Sequence, residues 1–142
     1  MNKSGSAFRM VSGLVSEFAR QGLSSDRIAL AGFSQGACLA LEFAARHAQP
    51  YAAVVGLSGG LIGPPGTPRD YSGSLQGAHI FLGCSDVDPH IPLGRVHESA
   101  DVFRRLGAAV DERIYPKMGH TVNRDELDAV TALLTRTSIR DR

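Results

Sequence analysis

The sequence predicts an α/β protein whose parallel sheet is covered by helices on both faces. Three observations carry that prediction. Short, nearly all-apolar runs alternate with longer segments of helical periodicity. Glycine and proline (16 and 7 residues) fall between the segments and punctuate them. Polar residues with reactive side chains recur just after the apolar runs, where open parallel sheets carry their functional groups.

The elements follow in order. Phe8, Val11, Leu14, Val15 and Phe18 recur at helical spacing, so residues 7–21 are expected to form an amphipathic helix, with Gly22 as its C-terminal cap. Arg27-Ile28-Ala29-Leu30-Ala31, bounded by Asp26 and Gly32, is expected as a first strand. Gln35 to His47 has Ala, Leu or Phe on nearly every turn and predicts a buried helix, closed before Pro50. Ala52 to Leu57 is a second strand and His79 to Gly83 a third. Between them, residues 58–78 form a Gly/Pro-rich connection, and loops of that length are usually functional or mobile. Pro92 opens a helix that runs to about Leu106, followed by Gly107. Val110 to Tyr115 alternates and predicts a fourth, more amphipathic strand. A last helix is expected from Thr121 or Val122 to about Arg136. There is no internal repeat and no low-complexity segment.

Composition narrows the function classes. With 142 residues, 43% hydrophobic and 20% charged, the chain suits one globular domain. Lys+Arg 15 against Asp+Glu 14 gives a net charge of +1, with no basic footprint for nucleic acid or anionic lipid. Apolar stretches such as Ala52-Ala53-Val54-Val55 fall far short of the roughly 18–20 residues of a membrane span. The first ten residues lack the apolar core of a secretory signal. Cys38 and Cys84 make no disulfide framework and have no neighbours at metal-ligand spacing. A cytoplasmic protein with free thiols, both packed as small hydrophobes, is the expectation.

The chemistry lies after the strands. The first ends in Gly32-Phe33-Ser34-Gln35-Gly36, a G-x-S-x-G sequence between a strand and a helix. A turn that sharp strains the central residue, holds its hydroxyl clear of the sheet and needs small residues two positions either side. Ser34 is the candidate nucleophile, and the Gln35 backbone N–H faces a developing oxyanion. The third strand leads into Asp86-Val87-Asp88-Pro89-His90, where either aspartate could orient a histidine. Asp88 is favoured because the following proline stiffens its turn; Asp86 is then a turn or helix-start residue. Asp86, Asp88 and His90 alone are too few ligands to argue for a metal. The fourth strand leads into Lys117-Met118-Gly119-His120, and His120 is the candidate general base and acid. His47 and His97 on helices and His79 at a strand start are expected to be structural. Ser34, Asp88 and His120 are separated by 54 and 32 residues, in the chain order of the α/β-hydrolases. Arg69 and Asp70 in the long loop are expected as solvated charges.

These blocks, together with Leu57-Ser58-Gly59-Gly60, Ile91-Pro92 and Met118-Gly119-His120, resemble the phospholipase/carboxylesterase branch of the α/β-hydrolases, which includes the acyl-protein thioesterases. The resemblance covers residues 8 to 135 or so. It implies a serine hydrolase acting on small-molecule or lipid esters or thioesters, without metal or organic cofactor. It carries over Ser34, Asp88 and His120 as a catalytic triad, and places Leu61 and Ile62 on the acyl groove. The family pattern also has earlier strands and a His-Gly-rich loop that supplies a second oxyanion donor, and the sequence offers no counterpart. The resemblance therefore implies a partial α/β-hydrolase domain over residues 1–142, truncated to about four strands of the C-terminal half. Ile28 to Gly32 would form an exposed apolar edge, which soluble proteins avoid. Three expectations result: an esterase that repairs the edge by pairing two copies into an eight-stranded sheet, an N-terminally truncated and impaired fragment, or a non-catalytic binding subunit.

Overall fold

The computed structural model describes residues 3–140. Four parallel strands, β1 (Ala29–Phe33), β2 (Ala53–Leu57), β3 (His79–Ser85) and β4 (Ala109–Tyr115), lie side by side in chain order. Helix α1 (Lys3–Arg20) precedes β1, α2 (Gln35–Arg46) joins β1 to β2, α3 (Leu93–Arg105) joins β3 to β4, and α4 (Arg124–Arg140) follows β4. The predicted alternation of elements is therefore present.

Side-chain alternation along the strands divides the core in two. Val54, Ile80 and Leu82 pack with Leu41 of α2, Val96 and Phe103 of α3, and Phe8, Val11 and Val15 of α1. Ala53, Val55 and Phe81 point the other way and pack against Ala129, Val130 and Leu133 of α4. The β2 and β3 interiors are buried on both faces, which is why their sequences are continuously apolar.

β1 behaves differently. Its register sets Ala29 beside Ala53, Ala31 beside Val55 and Phe33 beside Leu57, so these three side chains share the face of α4. They are nonetheless exposed, because α4 packs over β2 and does not cover β1. Ile28 accepts from Ala52 N and Ser34 donates to Leu57 O, so the even-numbered backbone groups turn to β2. The amides and carbonyls of Ala29, Ala31 and Phe33 consequently face outward on an edge with no neighbouring strand among the described residues.

Several boundaries differ from the sequence expectation. Arg27 and Ile28 are not in β1. Ser25–Arg27 form a 3-10 turn, tied by Ser24 Oγ to the Asp26 carboxylate, and the strand runs two residues further, to Phe33. Helix α4 starts at Arg124, not at Thr121 or Val122. Asn123 Oδ1 accepts from Glu126 N at 2.8 Å while Glu126 Oε1 accepts from Asn123 N at 3.0 Å, a reciprocal cap that sets the start. The first helix also begins earlier than residue 7, at Lys3. No helix among the described residues is long and apolar enough to cross a membrane.

Candidate active site

The turn from β1 to α2 is made by a single residue. Phe33 ends the strand, Gln35 starts the helix, and Ser34 between them has φ 58° and ψ −119°. A non-glycine residue in that conformation is strained, and the surrounding bonds hold it there. Ser34 N donates to Leu57 O at 2.9 Å and Ser34 O accepts from Cys38 N at 3.1 Å. Small residues are expected two positions either side of Ser34, and the geometry calls for only one of them. A Cβ on Gly32 would lie 2.3 Å from the Gly36 carbonyl atoms, whereas a Cβ on Gly36 would meet nothing within 4 Å. Gly32 permits the close strand–helix approach, and Gly36 is not sterically required.

Three of the predicted side chains meet above the sheet. Ser34 Oγ lies 2.8 Å from His120 Nε2, and His120 Nδ1 lies 2.7 Å from Asp88 Oδ2. The His120 side chain is 20% exposed and that of Asp88 is 0%, so the ring can be reached while its carboxylate partner is shielded. Burial by itself would favour protonated Asp88. Hydrogen bonds from His120 and from the amides of His90 (2.8 Å) and Ile91 (3.1 Å) outweigh it and hold the carboxyl below its ordinary range. An anionic Asp88 fixes a proton on Nδ1 and leaves Nε2 free to accept from Ser34. The rings of Phe33 and His90 flank the imidazole, with centroids 5.1 and 4.5 Å away.

Asp86 does not reach His120. Its Oδ1 accepts from Lys117 N at 2.8 Å, tying the β3 loop to the loop that carries the histidine. Two serines to which sequence reasoning gives no role do similar work. Buried Ser85 accepts from Gly119 N at 2.9 Å and from Val87 N at 3.2 Å. Buried Ser58, itself at φ 54°, donates to Thr121 O at 3.1 Å. The His120 loop is thus fastened to the ends of both central strands. The only sequence signal for this was a serine at each strand end.

The two cysteines have different surroundings. Cys84 is buried, and burial, reinforced by the Asp88 carboxylate, pushes its thiol up to about 12. It stays protonated, with Sγ 3.9 Å from Asp88 Oδ2, and is no nucleophile. Cys38 was expected in the core and is instead half-buried, on the wall of a cavity beside Ser34.

That cavity, of about 340 Å³, is walled by Cys38, Leu39, Leu61, Ile62, Ile91 and Arg95. Leu61 and Ile62, which the resemblance places on an acyl groove, are thus part of the wall of a cavity next to Ser34. Their backbone is held at all four polar atoms. Leu61 N donates to Ser99 Oγ (2.9 Å) and Leu61 O accepts from Arg95 Nη1 (3.1 Å). Ile62 N donates to Glu42 Oε1 (2.9 Å) and Ile62 O accepts from Arg69 Nη1 (2.6 Å). Arg69 is thus not the solvated loop charge expected from sequence: its side chain is 7% exposed and also bonds Glu98 at 3.0 Å.

The profile of the phospholipase/carboxylesterase family matches residues 2–138. The chain belongs to the phospholipase/carboxylesterase family. This family member is 37% identical to a phospholipase/carboxylesterase of Dyadobacter fermentans of known structure. Their TM-score is 0.87, over 92% of this chain and 63% of that one. The shared fold is of the α/β-hydrolase type. Identity is 29% with acyl-protein thioesterase 1 of Gibberella zeae, over 87% of this chain and 53% of the relative. It is 28% with mouse (Mus musculus) lysophospholipase-like protein 1, over 90% and 54%. The chain spans about half the length of the curated relatives it matches.

Proposed function

We propose that the chain is a serine hydrolase of carboxylic esters or thioesters, working through an acyl-enzyme on Ser34. The single observation that carries the reading is the continuous hydrogen-bonded path from Ser34 Oγ through His120 to Asp88. In the first step His120 Nε2 takes the Ser34 proton as Oγ bonds to the acyl carbon. The imidazolium, balanced by Asp88, then protonates the departing alcohol or thiol as its bond to the acyl carbon breaks. A water molecule next gives its proton to His120, attacks the acyl carbon and releases the acid, with the proton returned to Ser34. Gln35 N–H, the first amide of α2 and one that has no acceptor within the helix, serves as oxyanion donor. Leu61 and Ile62 line the acyl side of the cavity.

The bare edge of β1 supports a companion proposal: two copies pair these strands antiparallel about a two-fold axis. The esterase reading is tested by steady-state hydrolysis of para-nitrophenyl esters by the chain and by His120→Ala. Hydrolysis that the substitution removes is the expected result. Equal rates in both, or none in either, would reject the reading.

A further inference from the structure

The cavity beside Ser34 has apolar walls and one charge. Among its lining residues Arg95 alone is ionic, and no carboxylate shares the space. The arginine stem lies close over Gly60, where an added Cβ would come within 2.8 Å of Arg95 Cγ. Nη1 is spent on Leu61 O, and Nε lies 3.8 Å from Glu98 Oε1, a carboxylate oxygen held more closely by Arg69 Nε at 3.0 Å. Nη2 has no acceptor among the described residues and is not among the buried unpartnered atoms, so this lining residue keeps a donor that a ligand can reach. The ion cluster behind the wall is unbalanced. Glu42 and Glu98 face the guanidinium groups of Arg46, Arg69 and Arg95, three cations against two anions. A guanidinium with open donors, 17% exposed beside apolar walls, is a site for a carboxylate.

We infer that the acyl group this site accepts carries a carboxylate at its far end, read by Arg95, as in the monoester of a medium-chain dicarboxylic acid. The inference rests on the esterase reading for the orientation of the chain, with the carbonyl at Ser34 and the terminal anion at Arg95. Arg95 also supports Leu61, so a variant that only loosens the wall must be told apart from one that removes the charge. Arg95→Gln keeps a donor for Leu61 O and removes the charge, and Arg95→Lys keeps the charge.

The product acids test the pocket directly. Adipate and hexanoate, which share a chain length and differ at the far end, are titrated into the chain by calorimetry. Adipate is expected to bind roughly tenfold or more tightly than hexanoate, as a charge-assisted hydrogen bond allows. The preference is expected to vanish in Arg95→Gln and to survive in part in Arg95→Lys. Equal binding of the two acids, or an unchanged preference in Arg95→Gln, overturns the inference. Hydrolysis then fixes the orientation. The kcat/KM ratio of para-nitrophenyl adipate to para-nitrophenyl hexanoate should exceed one and fall in Arg95→Gln. A preference instead for para-carboxyphenyl hexanoate over phenyl hexanoate would put the anion on the leaving group and overturn the acyl assignment. Adipate bound through Arg95 with no ester cleaved would remove the esterase reading and leave the carboxylate pocket standing.

Discussion

The two flanks of Ser34 are built to different standards. On the side of β2 to β4, the histidine-bearing loop is tied down by Ser58, Ser85 and Asp86, and the buried Asp88 carboxylate is itself held by two amides. On the side of β1, Phe33 is 43% exposed, Ala29 and Ala31 face solvent, and the strand edge pairs with nothing among the described residues. Acid–base chemistry needs groups fixed within hydrogen-bond reach, and the first flank supplies that. Stabilising an oxyanion needs convergent donors, and the second flank contributes the Gln35 amide. In the proposed mechanism, proton transfer falls to the groups that the structure holds most firmly, and oxyanion stabilisation to the flank that is held less firmly.

The largest predicted effects strike the strong flank. Ser34→Ala or His120→Ala should lower ester hydrolysis about a thousandfold or more, and Asp88→Asn nearly as far by freeing the wrong imidazole tautomer. Steady-state rates with purified variants check this, and an Asp88→Asn enzyme with ordinary turnover would uncouple Asp88 from the mechanism. A smaller loss is expected from Ser85→Ala, which strands the amides of Gly119 and Val87. Its cost is about 2 kcal/mol of stability by denaturant unfolding, with a fall in kcat and little change in KM.

Two carboxyl groups should give opposite pH slopes. Asp88 is depressed in the folded state, so its contribution to stability is present above the ordinary carboxylate range and is lost as pH falls through its folded value. Glu126 is fully buried with Oε2 unpartnered, and burial, opposed by the Asn123 amide, raises it. Its favourable contribution is complete below the ordinary range and is lost as pH rises through the raised value. Glu126→Gln keeps the acceptor for Asn123 N and should raise the melting temperature at neutral pH, with the gain shrinking on acidification. Asp88→Asn should lower it at neutral pH, with the loss shrinking on acidification. Thermal melts across that range read both signs.

The smallest effect on the site itself concerns the weak flank. Ala31→Pro removes an outward amide without touching the bonds to β2, so it should abolish edge pairing between copies while the fold persists. Sedimentation velocity would show a dimer reduced to a monomer. A monomer before the substitution would reject the pairing.

Much of this was legible in the sequence, for local reasons. The strands β2 and β3 are buried on both faces and so read as unbroken apolar runs. The residues around Ser34 announce themselves because a one-residue strand-to-helix turn restricts what can precede it, as Gly32 shows. The α4 boundary was readable and missed: Asn123 and Glu126 stand at capping-box spacing. The start of β1 was obscured because Ile28 is as apolar as a strand residue yet ends a 3-10 turn. The clamp on Leu61 and Ile62 was not readable at all. Glu42, Arg69, Arg95 and Ser99 come from three separate segments, and only the fold brings them together.

The most direct test of the central claim is intact-mass detection of a fluorophosphonate adduct on the purified chain, with Ser34→Ala as the control. A single adduct on the native chain and none on Ser34→Ala is the predicted result. A folded native chain that stays unmodified, or an adduct that persists in Ser34→Ala, would contradict an activated serine at this turn.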